Sequence, residues 1–422
     1  MSQDPGQALH YPQLDLPDAG SAIKRARSAL LSGVLSRLMA GRLVVHTPAG
    51  ARVEHTAAAP GPEAEIFLHD WRAVRRLLSK GAVGFAEAYM DGEWTSPDLT
   101  QLLQLAAANA DNLEAVINGS GWLRLLTRLR HLRSANTKRG SRRNIASHYD
   151  LGNAFYQGWL DPGMTYSSAY FASPAQSLEQ AQAAKQDLVL ERLALQGGER
   201  VLEIGCGWGG LMERIVQAGA AHVRGITLST EQLAFARNRL EQGGRADRAE
   251  AVLRDYRDVT GSYDRVVSIE MLEAVGEEYW PIYFDTLKAR LAPGGSAVIQ
   301  VITMAEGRFE DYRRGADFIQ RYIFPGGMLP TDEIVRREIA RAGLAFRSLE
   351  TFGLSYAQTL AEWRRRFLEA WPAIQHLGFD LRFRRMWEYY LSYCEAGFRA
   401  GLLNVGLYSF GHAGESVGDA SA

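Results

Sequence analysis

The ten residues VLEIGCGWGG, 201–210, constrain the fold of this chain more than any other stretch. An apolar run of strand character enters a glycine-rich turn and leaves as the helical segment Leu211–Ala218. Glycines supply the positive φ of such a turn and let a ligand approach bare backbone at a helix N-terminus. Gly205, Gly207 and Gly210 also satisfy the G-x-G-x-x-G spacing of dinucleotide folds, so the glycines alone leave the ligand open. Two neighbours favour S-adenosylmethionine. A nicotinamide site usually places an acid at the end of the next strand to hold the ribose, whereas that strand here ends Gly225-Ile-Thr-Leu-Ser229. Glu203 stands before the glycines, where dinucleotide loops carry an apolar residue and methyltransferase loops an acidic one.

The loop sits in a pattern of αβ alternation that runs from about Asn144 to the C-terminus. Strand-like runs at Arg200–Ile204, Val223–Thr227, Ala249–Leu253, Arg265–Ile269 and Ser296–Val301 are separated by helical segments, which predicts a parallel sheet with crossover helices. Glu310–Phe324 and Leu360–Ala400 read as aromatic-rich helices near the strands Phe346–Thr351 and Leu402–Phe410, where a lid or substrate tunnel would be built. The fold class expected is α/β: a Rossmann-like methyltransferase fold with helical lid insertions, plus a small α+β N-terminal domain.

A length of 422 residues suits two or three packed units. Residues 1–20, polar with three prolines, read as a flexible tail. Residues 21–120 form the small α+β domain, with helices at Ser28–Met39, Asp70–Leu78 and Asp98–Ala108 and strands at Leu43–His46 and Ile66–His69. Residues 121–143 carry eight basic side chains and no acid, with Trp122, Leu125, Leu126, Leu129 and Leu132 on one helical face. This linker is either a helix lying on an anionic bilayer or an interdomain helix with solvated arginines. Residues 144–422 make the catalytic domain.

The net charge of −1 argues against a nucleic-acid partner, and the two cysteines, Cys206 and Cys394, against a disulfide framework or a cysteine metal site. No metal is expected. With no run of ~18 apolar residues and no signal-peptide pattern, the expected location is cytoplasmic, at the periphery of a membrane.

A set of motifs narrows the reading further. SHYDLGNAFY (147–156), LDPGMTYSSAYF (160–171), the glycine loop, GITLSTEQ (225–232), EAVG (273–276), FPGG (324–327) and YAQTL (356–360) occur in order and at sensible spacing. Together they resemble the cyclopropane-fatty-acyl-phospholipid synthase and mycolic acid methyltransferase family, over about Asn144 to Phe410. Residues 33–109, with GFAEAYMDG at 84–92, resemble the lipid-binding-type N-terminal domain of the bacterial synthases.

The resemblance implies transfer of the S-adenosylmethionine methyl to a cis double bond in a phospholipid acyl chain, giving a carbocation that closes to a cyclopropane. It implies cofactor contacts at Tyr166 and Ser167, Glu203, the loop glycines Gly205, Gly207, Gly209 and Gly210, Thr227, Leu228 and Gln232, and Asp255, Tyr256 and Arg257. It implies bicarbonate as proton acceptor, beside Glu273, Ser168, Gln300, Ile302 and Tyr356. The implied partners are a phospholipid bilayer surface and, as a further candidate, a second copy of the chain.

An alkene needs no general base to attack, so the site must align cofactor and alkene and tolerate a cation. Glu273, after the fourth strand, is a carboxylate placed to face it. Two positions depart from the family pattern: Ser168 replaces a cysteine and Gln300 a histidine, both at the bicarbonate site. Serine and glutamine can still hydrogen-bond an anion. Three rivals remain open: the same transfer ending in a methylene- or methyl-branched chain, a small-molecule C- or N-methyltransferase, and a lipid-binding scaffold without turnover.

Overall fold

The computed structural model describes residues 22–117, 151–315 and 317–412. The N-terminal tail and the basic segment 121–143 lie outside them.

The N-terminal unit starts with helix α1 (Ala22–Leu35) and strands β1 (Ala40–His46), β2 (Arg52–Thr56) and β3 (Ala59–Leu68). It continues through α2 (Arg72–Met90), the short β4 (Trp94–Thr95), α3 (Leu99–Ala108) and α4 (Ala110–Ile117). The sheet order is β2-β1-β3-β4, with β1 and β3 parallel and the outer pairs antiparallel. Asp98 caps α3 by accepting the Gln101 N–H, satisfying one of the free donors at a helix start. The helix expected at Asp70–Leu78 starts at Arg72 and is followed, across a kink at Gly81 (φ 62°, ψ −147°), by a second helical half that reaches Met90. The helix expected to reach Met39 ends at Leu35, since Met39 leads straight into β1.

The larger unit enters through α5 (Asn153–Gln157) and α6 (Leu178–Leu193). Ser177 and Gln180 form a reciprocal capping box at the start of α6. There follow β5 (Arg200–Ile204), α7 (Gly210–Gln217), β6 (His222–Thr227), α8 (Thr230–Gln242), β7 (Ala249–Leu253), β8 (Tyr263–Ile269), α9 (Trp280–Arg290) and β9 (Leu291–Met304). The chain then makes α10 (Phe309–Arg314), α11 (Phe318–Tyr322), α12 (Asp332–Arg341), β10 (Leu344–Thr351), α13 (Gly353–Gln375), α14 (Leu381–Arg399) and β11 (Leu403–His412). The seven strands are ordered β10-β11-β9-β8-β5-β6-β7. Strands β7, β6, β5, β8 and β9 are parallel; β11 and β10 complete the sheet antiparallel. The expected α/β sheet with helical insertions is therefore present.

Apolar residues of both units belong to one cluster, from Leu31, Ile66 and Leu103 to Trp363, Trp387 and Leu391. Helix α14 packs on α2 and α3. Polar ties cross the same boundary: Thr100 Oγ1 donates to Glu395 Oε2 at 3.0 Å and Tyr322 OH to Glu87 Oε1 at 2.8 Å. No helix among the described residues is long and apolar enough to cross a membrane.

Candidate active site

Strand order reverses between β5 and β8, and open α/β sheets hold ligands in the crevice outside the strand ends at such a point. The glycine loop leaves β5 on one side of that crevice, and Glu270 and Glu273 follow β8 on the other.

Gly205, Gly207 and Gly209 all have positive φ, but for different reasons. A Cβ on Gly209 would lie 3.1 Å from that of Ala236, and one on Gly210 would lie 2.9 Å from the Gly163 carbonyl oxygen, so both are demanded by packing. At Gly207 nothing lies within 4 Å of the same point. This is open space against bare backbone, at the turn into α7. Beside it Glu203 is buried, and its Oε2 has no hydrogen-bond partner. Burial pushes its carboxyl up to about 8, against the pull of Lys185. A buried acceptor without a donor, next to an open glycine cradle, fits a ligand that brings hydroxyl or amine donors, as S-adenosylmethionine does.

The remaining expected cofactor residues line up along the same edge. Thr227 ends β6, donating from Oγ1 to Gln232 Oε1 at 2.8 Å and accepting the Ser229 N–H at 3.1 Å; Leu228 beside it is half-buried. Asp255 grips Arg257 through its backbone N–H (3.0 Å), Nε (2.8 Å) and Nη2 (2.7 Å), while the guanidinium lies over the rings of Tyr256 and Tyr279. Tyr256 is buried, with no partner for its hydroxyl. Tyr166 and Ser167 arrive from the loop before α6: the Tyr166 and Tyr390 hydroxyls are 2.9 Å apart, and Ser167 Oγ accepts from Lys185 Nζ at 2.9 Å.

The second group converges on a residue outside the expected set. Glu270 accepts the Ser168 N–H at 2.8 Å and Gln300 Nε2 at 2.7 Å on Oε1, and the Tyr356 hydroxyl at 2.6 Å on Oε2. Three of the five groups expected around bicarbonate, Ser168, Gln300 and Tyr356, thus surround a protein carboxylate. Ser168 offers only its backbone N–H, because its hydroxyl donates to the Ala169 carbonyl at 2.9 Å. Glu270 is held at φ 50°, a conformation uncommon for a residue with a side chain. Burial raises its carboxyl, and the hydrogen bonds from Tyr356, Ser168 and Gln300 oppose this. A sign of it was present in the sequence: an acid that directly ends a buried strand, three residues before Glu273.

Glu273 accepts the Ile302 N–H on Oε1 at 2.5 Å, and its buried Oε2 has no partner. Burial, then the like charge of Glu270, pushes its carboxyl up to about 8. One cavity of about 690 Å³ reaches these groups, with Tyr166, Glu270, Glu273, Ile302 and Tyr356 in its wall. Its far wall belongs to the N-terminal unit, with Leu35, Val45, Ile66 and Leu103. Ser168 and Gln300 are not in the wall; they stand behind Glu270. The site therefore joins a polar, anion-lined end to a long apolar space, as an acyl chain with a reacting centre requires.

Known proteins similar in sequence and fold to this chain fall in one family. A family model described as mycolic acid cyclopropane synthetase matches residues 136–407. The tuberculostearic acid methyltransferase of Mycobacterium tuberculosis is 41% identical over 417 residues, 96% of each chain. The cyclopropane-fatty-acyl-phospholipid synthase of Escherichia coli is 36% identical over 344 residues, 80% of this chain and 85% of the relative. Among solved structures, a cyclopropane synthase from Mycobacterium tuberculosis is similar at a TM-score of 0.60 and 30% identity, covering 64% of this chain and 98% of that one. A mycolic acid cyclopropane synthase complexed with SAH and CTAB matches at 0.60 and 29%, with the same coverage.

Proposed function

We propose, from the premise that this chain belongs to the mycolic acid cyclopropane synthetase family and is an S-adenosylmethionine-dependent methyltransferase acting on lipid acyl chains, that it methylates a cis double bond of a phospholipid acyl chain and releases a methylene-branched product. Glu270, in the place expected for bicarbonate, is the observation that carries the choice of product.

When bound, S-adenosylmethionine supplies an electrophilic methyl. The open cradle at Gly207 and the free oxygen of Glu203 hold it, with Tyr166, Ser167, Thr227, Leu228, Gln232 and the Asp255–Arg257 turn around it. The apolar cavity holds the acyl chain and excludes water. Reach to a bilayer surface belongs to the same reading, since the substrate resides there.

Methyl addition to one alkene carbon leaves the positive charge on the other. Glu270, its oxygens already accepting three hydrogen bonds, stabilises that charge with its lone pairs engaged. The cation then persists long enough for the adjacent hydrogen to migrate with its electron pair, moving the charge to the methylated carbon. Glu273, in the cavity wall and with no partner on Oε2, takes a proton from the new methyl, and the electrons of that C–H bond form the C=CH₂ of a methylene branch. A carboxyl near the working pH suits a proton acceptor. The relative that covers nearly all of this chain is named for methyl addition, which supports the same outcome.

A second reading is favoured by the same free oxygen. If Glu273 takes the methyl proton before the hydrogen migrates, the C–H electrons close a cyclopropane instead. Proton NMR of lipid converted by the purified protein distinguishes the two. Vinylic methylene signals are expected; upfield ring-methylene signals in their absence would establish the second reading, and unchanged lipid would contradict both.

A further inference from the structure

We infer that Lys185 is a positioning residue whose buried ammonium ties the loop that meets the cofactor to the negative charge of Glu270. The inference rests on the role proposed above for Glu270.

Lys185, on α6, is 2% exposed and is the one lysine or arginine in the buried set among the described residues. Its Nζ donates to Ser167 Oγ at 2.9 Å, and one turn earlier Gln182 Nε2 donates to the Ser167 carbonyl at 2.8 Å. The next residue, Ser168, gives its N–H to Glu270. A single side chain of α6 therefore braces both the Tyr166–Ser167 segment and the strut that holds Glu270 in its strained conformation.

The charges around it fit that role. Asp161 from the loop, Glu203 from β5 and Glu270 from β8 all act on the ammonium, while burial lowers it to about 8. Glu270 in turn faces Tyr356 from α13 and lies near Glu273; Glu203 also faces Cys206, and Asp161 faces Arg239. Asp161 is satisfied without Lys185, by the Gly163 and Thr165 N–H groups. Lys185 is the cation that pulls on both Glu203 and Glu270. An apolar side chain would fill this space at less desolvation cost, so an ammonium here serves charge rather than packing.

Removing the ammonium removes a cationic influence that helps to hold Glu270 down, so its carboxyl rises and the ionised form becomes scarcer at neutral pH. The test is the pH profile of kcat/KM for the full-length protein, with labelled S-adenosylmethionine and vesicles of a cis-monounsaturated phospholipid. Lys185→Met should lose at least about tenfold at pH 7 and move the acid limb upward by about one pH unit. Lys185→Arg keeps the charge, so its limb should stay at the parental pH whatever its rate. Ser167→Ala keeps the charge but removes the brace, so it should raise KM for S-adenosylmethionine with the limb unmoved. An unmoved limb in Lys185→Met would overturn the inference, as would a displaced limb in Lys185→Arg; should Lys185→Met not fold, the other two variants decide it. An inactive parent would sink the functional reading itself, and the inference with it.

Discussion

A side chain held at φ 50° costs about 1–3 kcal/mol, and such strain persists only where the surroundings over-determine it. At Glu270 the surroundings are three donors from three elements. Glu273 is less constrained, with one hydrogen bond and one free oxygen, and the two carboxylates are suited to different tasks. Glu273→Gln should lower turnover by about 10²–10⁴, the usual effect of removing a positioned proton acceptor. Its effect on stability should depend on pH. The folded protein keeps this carboxyl protonated up to about 8, whereas the unfolded chain releases the proton near 4.5, the ordinary value of a glutamate. Between those values the folded state binds more protons, so stability falls as pH rises through the window. The melting temperature of the glutamine variant should therefore fall less between about pH 5 and pH 8 than that of the parent. Equal falls in the two proteins would contradict this assignment. Glu273, Ile302 and Tyr356, all in the cavity wall, were singled out in the sequence through motif resemblance. Glu270 was not, because its partners lie 102, 30 and 86 residues away and only the left-handed turn brings it to them.

At the scale of elements, the β5–loop–α7 unit was fully legible, since a strand, its glycines and the next helix are contiguous in the chain. What the sequence could not separate is why each glycine is there. Gly207→Ala should keep most of the stability, with about 1–2 kcal/mol of backbone strain, and weaken S-adenosylmethionine binding by at least about tenfold, or 1.4 kcal/mol. Gly209→Ala should do the reverse and destabilise the fold through Ala236. Calorimetric titration beside thermal melting separates them, and equal affinity loss in both would place the cofactor elsewhere. Strand β2 escaped the sequence reading because RVEHT buries only Val53 and offers no alternation to see. The continuation of α2 past Gly81 escaped it because a glycine with φ 62° reads as a stop, while packing against α14 and the Trp94 indole bond to the Phe85 carbonyl hold the second half in place.

The whole molecule places its reacting carboxylates at one end of a cavity whose other walls come from the small N-terminal unit. Neither unit alone encloses the acyl space, and no local pattern in the sequence could have shown that they share it. Ala106, a half-buried residue of the cavity wall on α3, offers a way to test the sharing. Ala106→Trp should fill that space, leave cofactor affinity unchanged and reduce lipid turnover at least about tenfold, in line with the cost of misplacing a substrate. Parental turnover in a folded variant would detach the small unit from the reaction. The account as a whole stands on Glu270 taking the place of a diffusible anion. Its most direct test is transfer of labelled methyl into the acyl chains of a cis-monounsaturated phospholipid, measured in buffer freed of carbon dioxide and again with bicarbonate restored. The same rate in both is predicted; transfer that requires added bicarbonate would contradict it.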